Sequence, residues 1–128
     1  MKNPEPNPEQ VSKVKEYLGY ILQECNIIIE HSRDLTFEDF EKSPLLIRGF
    51  VKSLELIGEY VKRVPKDVKN EYPNIPWKAI AGMRDVLVHN FYSLELKTVW
   101  KVIEEDVPDL KKQIEEIMKR VAEGFNPS

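Results

Sequence analysis

Arg84, Asp85 and His89 stand in the stretch RDVLVHNFY, residues 84–92, which is otherwise filled by Val86, Leu87 and Val88. These three side-chain types together can do proton and anion chemistry. A guanidinium can hold a phosphate and offset the charge that develops on it. An imidazole exchanges protons near physiological pH, as a general acid or base must. On a helix Asp85 and His89 are one turn apart and can touch. Arg84 and His89 differ by five positions, which is about 140° around the axis. One continuous helix therefore does not aim both at the same atom. Either the helix ends near His89 and the chain turns, with Asn90 accepting the left-handed conformation of a helix end, or a second copy supplies the other half. The same trio on an exposed face also reads as a plain ion-paired patch.

Other chemistries find no support in the residues. The chain has two His, and HSRD at 31–34 is the only other His–carboxylate grouping. Nothing matches a zinc spacing, and no glycine-rich phosphate loop or G-x-S-x-G elbow occurs, so neither a metal nor a cofactor is expected. His31 reads as a polar residue in the last turn of a helix. A formal charge of −3 restricts any nucleic-acid contact to a local basic site. Cys25 is the one cysteine, which excludes an internal disulfide and fits a reducing cytosol. The opening MKNPEPNPEQ has no apolar stretch of the signal-peptide kind, and the apolar runs are short of a membrane span. A cytoplasmic protein with no membrane partner is the expectation.

The elements that must position the trio read as helices throughout. At 128 residues, 41% hydrophobic and 32% charged, the chain suits one soluble domain, and five Gly leave little for the tight turns of an all-β fold. Residues 1–7 read as a disordered lead-in, 8–124 as a single helical domain and 125–128 as a tail. Asn7, Pro8 and Gln10 give a helix start. Val11, Val14, Leu18, Ile21, Cys25 and Ile28 then form a stripe on a helix near 26 residues long, roughly seven turns. Thr36 and Asp39 look like a capping pair for a short helix. Ser43 and Pro44 start a second long one, buried along Leu46, Phe50, Leu54, Ile57, Val61 and Val64. Pro65 and YPNIP bracket a short connection. Pro76 opens the helix that carries the trio, with Ile80, Met83 and Leu87 inward. A further helix starts near Ser93, Pro108 marks a break, and Leu110, Ile114, Ile117 and Val121 stripe the last helix up to Gly124. The fold class is all-α: an up-and-down bundle of two long antiparallel helices plus shorter ones.

The chain also resembles a known family. Arg84-Asp85-x-x-x-His89 resembles the R-x(4–6)-H motif of the HEPN superfamily, including the polar residue after the Arg. LELIGEYVKRV at 54–64 resembles that family's IGEA helix. PWKAIAGMRDVLVHNFYSLELKTVW followed by DVPDLKKQIEEI is similar to the HepT-type toxin branch nearly end to end, so the likeness spans roughly residues 10 to 120. It implies an α-helical homodimer whose two motifs meet in a shared cleft. It also implies a metal-independent endoribonuclease paired with a minimal nucleotidyltransferase antitoxin. Carried onto this sequence, Arg84 binds the scissile RNA phosphate, His89 is the acid/base at the 2′-hydroxyl or the leaving oxygen, and Asp85 orients one or both. Asn90 and Glu59 are supporting positions; Glu59 matches the family's Glu, and an exposed-face role fits it equally.

One position departs from the family pattern. The HepT pattern continues H-x-Tyr, and the antitoxin modifies that Tyr with AMP. Here Phe91 stands at that position and Tyr92 follows, which makes Tyr92 the modification candidate. A different class of function stays open beside the ribonuclease: a non-catalytic helical partner that binds a nucleotidyltransferase or a nucleotide.

Overall fold

The stripe from Val14 to Ile28 closes into α1 (Pro8–Ser32), with Val14, Leu18, Ile21, Cys25 and Ile28 all buried. A computed structural model describes residues 8–123; the expected lead-in, the Asn7 cap, the Gly124 helix end and the tail lie outside them. Burial pushes the Cys25 thiol up to about 12, so it behaves as a small apolar side chain. His31 sits in the last turn of α1, its Nδ1 2.9 Å from the Ile27 carbonyl. α2 (Phe37–Glu41) opens on a reciprocal cap, Asp39 N–H donating to Thr36 Oγ1 and Thr36 N–H to Asp39 Oδ2. α3 (Pro44–Arg63) starts from Ser43, whose hydroxyl accepts from Leu46 N–H at 3.2 Å. The expected connection after Pro65 contains a short helix of its own, α4 (Lys66–Glu71), anchored by buried Val68. α5 (Trp77–His89) carries the trio.

After a 3-10 turn at Phe91–Ser93, α6 (Leu96–Lys101) begins, with Glu95 accepting from Lys97 N–H. Pro108 was expected to break the chain's last helical stretch. It does not. A π turn over Val102–Asp106 joins α6 directly to α7 (Val107–Ala122), with Val107 N–H bonded to Val102 O five residues back. In a regular helix Pro108 would deprive the Glu104 carbonyl of its donor and press its ring against it. The wider turn just before Pro108 takes up that mismatch without ending the helix. Among the described residues no strand occurs.

α1 and α3 run antiparallel, since Tyr17 and Tyr20 from the first half of α1 stack on Tyr60 near the end of α3. α1 also packs on α7, and α5 rests on the other flank of α3. Phe40, Phe50 and Trp100 form an aromatic junction of α2, α3 and α6, with Phe40 and Trp100 stacked at 5.1 Å. A cleft of about 530 Å³ separates α5 from α7 over Leu54 and Ile57 of α3. No helix among the described residues is long and apolar enough to cross a membrane.

The seating of α5 on α3 depends on Gly58. A Cβ there would collide with Arg84 Cβ and lie 3.0 Å from Arg84 Cγ and 3.3 Å from the Ile80 carbonyl. The missing side chain is what lets the two backbones approach. Gly58→Ala should therefore force α5 outward at a cost of about 1–3 kcal/mol, read as a lower urea midpoint at unchanged m-value. An unchanged midpoint would mean that the helices have room to spare at this crossing.

Candidate active site

Arg84 faces α3 because it lies on the half of α5 that also buries Leu87 and half-buries Ile80 and Met83. The contact at Gly58 brings it beside the next residue of α3, Glu59. Arg84 Nη2 is 3.4 Å from Glu59 Oε2, and Nη1 is 3.2 Å from Asp85 Oδ1. The guanidinium carries more N–H groups than these two contacts use, so donors remain for a further anion. Glu59 is thus not a bystander on an exposed face. It also pairs with Arg63 at 3.4 Å, and Arg63 lies over the Tyr60 ring at 5.4 Å.

Asp85 is exposed, and its carboxylate does not turn toward His89. Lys62 Nζ donates to Asp85 Oδ1 at 2.8 Å, and Arg84 donates to the same oxygen. The Lys62 hydrogen bond first, and the Arg84 one second, hold the Asp85 carboxyl below the usual carboxylate range. The expected Asp85–His89 contact is therefore absent because Lys62 from α3 and Arg84 from α5 itself take the carboxylate. Lys62 and Arg63 were not singled out in the sequence. Their spacing of three and four residues from Glu59, one helical turn, was the available signal, but only the pairing of α3 with α5 makes it meaningful.

His89 is the last residue of α5, exposed, and its side chain makes no hydrogen bond or ion pair with another described residue. Asn90 does end the helix, but not in the left-handed conformation: φ is −120° and ψ 31°, and its N–H still bonds to Val86 O. Its carbonyl then accepts from Ser93 N–H at 3.0 Å, so the chain leaves through a 3-10 turn that any residue can adopt. That turn separates the two neighbouring aromatics. Phe91 is half-buried beneath Arg48, 5.2 Å from guanidinium carbon to ring centre, whereas Tyr92 is 93% exposed. One chain therefore unites Arg84, Asp85, Glu59, Lys62 and Arg63, and presents His89 and Tyr92 separately at the end of the same helix. Val86 and Val88 are exposed beside them at 48% and 41%. Among the described residues no three His, Cys, Asp or Glu side chains are grouped to hold a metal ion.

Comparison with known proteins gives a consistent neighbourhood. Residues 21–117 match the family model described as Ribonuclease HepT-like. A candidate RNase of Caldanaerobacter subterraneus subsp. tengcongensis is 43% identical over 120 residues, 94% of this chain and 98% of that protein. A candidate RNase of Methanocaldococcus jannaschii is 37% identical over 110 residues, 86% of this chain and 95% of that protein. The probable ribonuclease HepT of Thermococcus cleftensis is 37% identical over 105 residues, 82% of this chain and 96% of that protein. No solved structure matches.

The Lys62–Asp85 contact can be read directly by titration. Because the folded-state pKa of Asp85 is depressed, the stabilisation from its partners is present above the unfolded value of about 3.9 and lost as pH falls through the folded one. Lys62→Gln should move the Asp85 carboxyl resonance titration upward in NMR, and high salt should do the same in the wild type. A titration curve that ignores the substitution would mean that Lys62 points into solvent.

Proposed function

The chain belongs to the Ribonuclease HepT-like family, and from that premise we propose that it is a metal-independent endoribonuclease whose working parts are Arg84 and His89. The observation that carries this reading is the division of labour on α5. Arg84 is braced by Glu59 and Asp85 with donors to spare, while His89 stands unencumbered at the helix end. Arg84 holds the scissile phosphate and offsets charge on its oxygens. His89 takes the proton from the 2′-hydroxyl, whose oxygen bonds to phosphorus as the bond to the 5′-oxygen breaks; the same kind of group protonates that leaving oxygen. Asp85, with Lys62, keeps the guanidinium in place.

Since the two side chains leave the helix about 140° apart, a cleft between two copies completes the site. The exposed Val86 and Val88 beside His89, and the open space around Gly82, support a homodimer packed along α5. Cleavage of single-stranded RNA should persist in EDTA. His89→Ala should lower the rate by roughly 10²–10⁴, and Arg84→Ala by roughly 10²–10³, with both variants folded and dimeric by sedimentation. Activity lost in EDTA and restored by a divalent ion would sink the acid/base reading; a wild-type monomer would sink the composite cleft.

The same reading makes this protein the toxin of a pair whose antitoxin is a minimal nucleotidyltransferase, with Tyr92 as the residue that receives AMP. The exposed Tyr92 hydroxyl supports it, whereas Phe91 at the family position is half-buried and has no hydroxyl. AMP there would add a bulky anion at the end of α5, where the composite cleft would set it in competition with substrate phosphate. Intact-mass measurement after co-expression with a minimal nucleotidyltransferase should show AMP-sized increments in the wild type and none in Tyr92→Phe. Increments that persist in the variant would move the modification elsewhere.

A further inference from the structure

We propose that the depression formed by α3, α4 and the start of α5 binds backbone phosphates of the RNA strand that flanks the scissile bond. It is open, about 880 Å³ in volume, and lined by Lys62, Lys69 and Lys78 together with Asn70 and Trp77; no carboxylate lines it. Lys42 lies by Asp39 and Lys52 by Glu55, each at 3.9 Å, and Lys62 meets Asp85 at 2.8 Å. Among the described residues neither Lys69 nor Lys78 has a carboxylate at ion-pair distance. Burial first, and neighbouring Lys66 second, disfavour the charged form of Lys69. Two acids are equally near Lys69 in sequence: Asp67 accepts from Val68 N–H at 3.0 Å, and Glu71 does not line the depression.

An anion would relieve this repulsion, and the geometry points to a strand and not a free ion. Lys62 belongs to both places: it lines the depression and donates to Asp85, which in turn meets Arg84. Phosphates lying along the lysines would thus extend toward the one held at Arg84, with Lys62 and Arg84 neutralising the Asp85 carboxylate between them. Neutralised phosphates release counter-ions, so the contact is read most directly in salt dependence. The local concentration of Lys62, Lys66, Lys69 and Lys78 also answers how a chain of net charge −3 can bind a polyanion at all.

This inference rests on the ribonuclease reading, and one experiment separates their failures. Single-stranded RNA long enough to run past the cleavage point is titrated onto His89→Ala protein, with and without Lys69→Gln and Lys78→Gln, at several salt concentrations. The slope of log affinity against log salt should shrink by roughly 0.7 for each lysine removed. A dinucleotide, too short to reach the depression, should be cleaved by the double variant in an otherwise wild-type background at the wild-type rate. Arginine at both positions should restore the slope. If wild-type protein cleaves RNA and the double glutamine variant keeps the full salt slope, this proposal alone falls. If the variant changes sedimentation instead, the depression is a contact between copies and the proposal is overturned. A wild type that neither binds nor cleaves RNA removes both readings.

Discussion

The approach of α5 to α3 at Gly58 is the constraint on which the rest of the candidate site depends. A helix pair separated by even one added methyl group at this crossing would hold Arg84 away from Glu59. Helix packing distances are set by the side chains at the point of contact, and the smallest one gives the closest seating. From that single contact follow the position of the guanidinium, the reach of Lys62 to Asp85, and the depression that Lys62 shares with Lys69 and Lys78. Glycine here serves tertiary geometry, since its neighbours are in ordinary helix.

Electrostatics then divides the surface of α5 in two. On the side toward α3, cations and carboxylates alternate in space, Arg63, Glu59, Arg84, Asp85, Lys62, so each charge has a partner. Pairs this exposed add little stability. Their effect is positional: a guanidinium held from two directions presents its remaining donors in one orientation, which is what anion recognition needs. On the opposite side His89 carries no such restraint. In the proposed reaction, that freedom would last until substrate or a second copy fixes the ring.

The end of α5 is the other decision point. Asn90 stops the helix with an ordinary backbone conformation and a 3-10 turn follows, closed by Ser93 N–H on the Asn90 carbonyl. That exit turns the next two residues to different environments, Phe91 inward under Arg48 and Tyr92 into solvent. The offset phenol still reaches the surface close to the same helix end.

By itself the sequence determined the fold class and most of the core, though not the buried Phe40, Val51, Val68 and Ile75. The stripes from Val14 to Ile28, from Phe50 to Val61 and from Leu110 to Val121 are buried as their periodicity requires, because a helix with one apolar face has one way to remove it from water. It also marked the trio through residue types that an apolar helix face would not otherwise carry, and the resemblance to a family marked the IGE helix that meets it. Local effects were harder to read. Pro108 signals a break whenever its helix is regular, and the π turn that accommodates it has no comparable residue signature. What only the tertiary structure decided is partnership. Asp85 is one turn from His89 along α5 and would meet it on an isolated helix. Lys62 and Arg84 take its carboxylate instead, because α3 brings one cation across from 23 positions away. Charge pairing depends on distance in space, and a single sequence specifies such distances only within one helix.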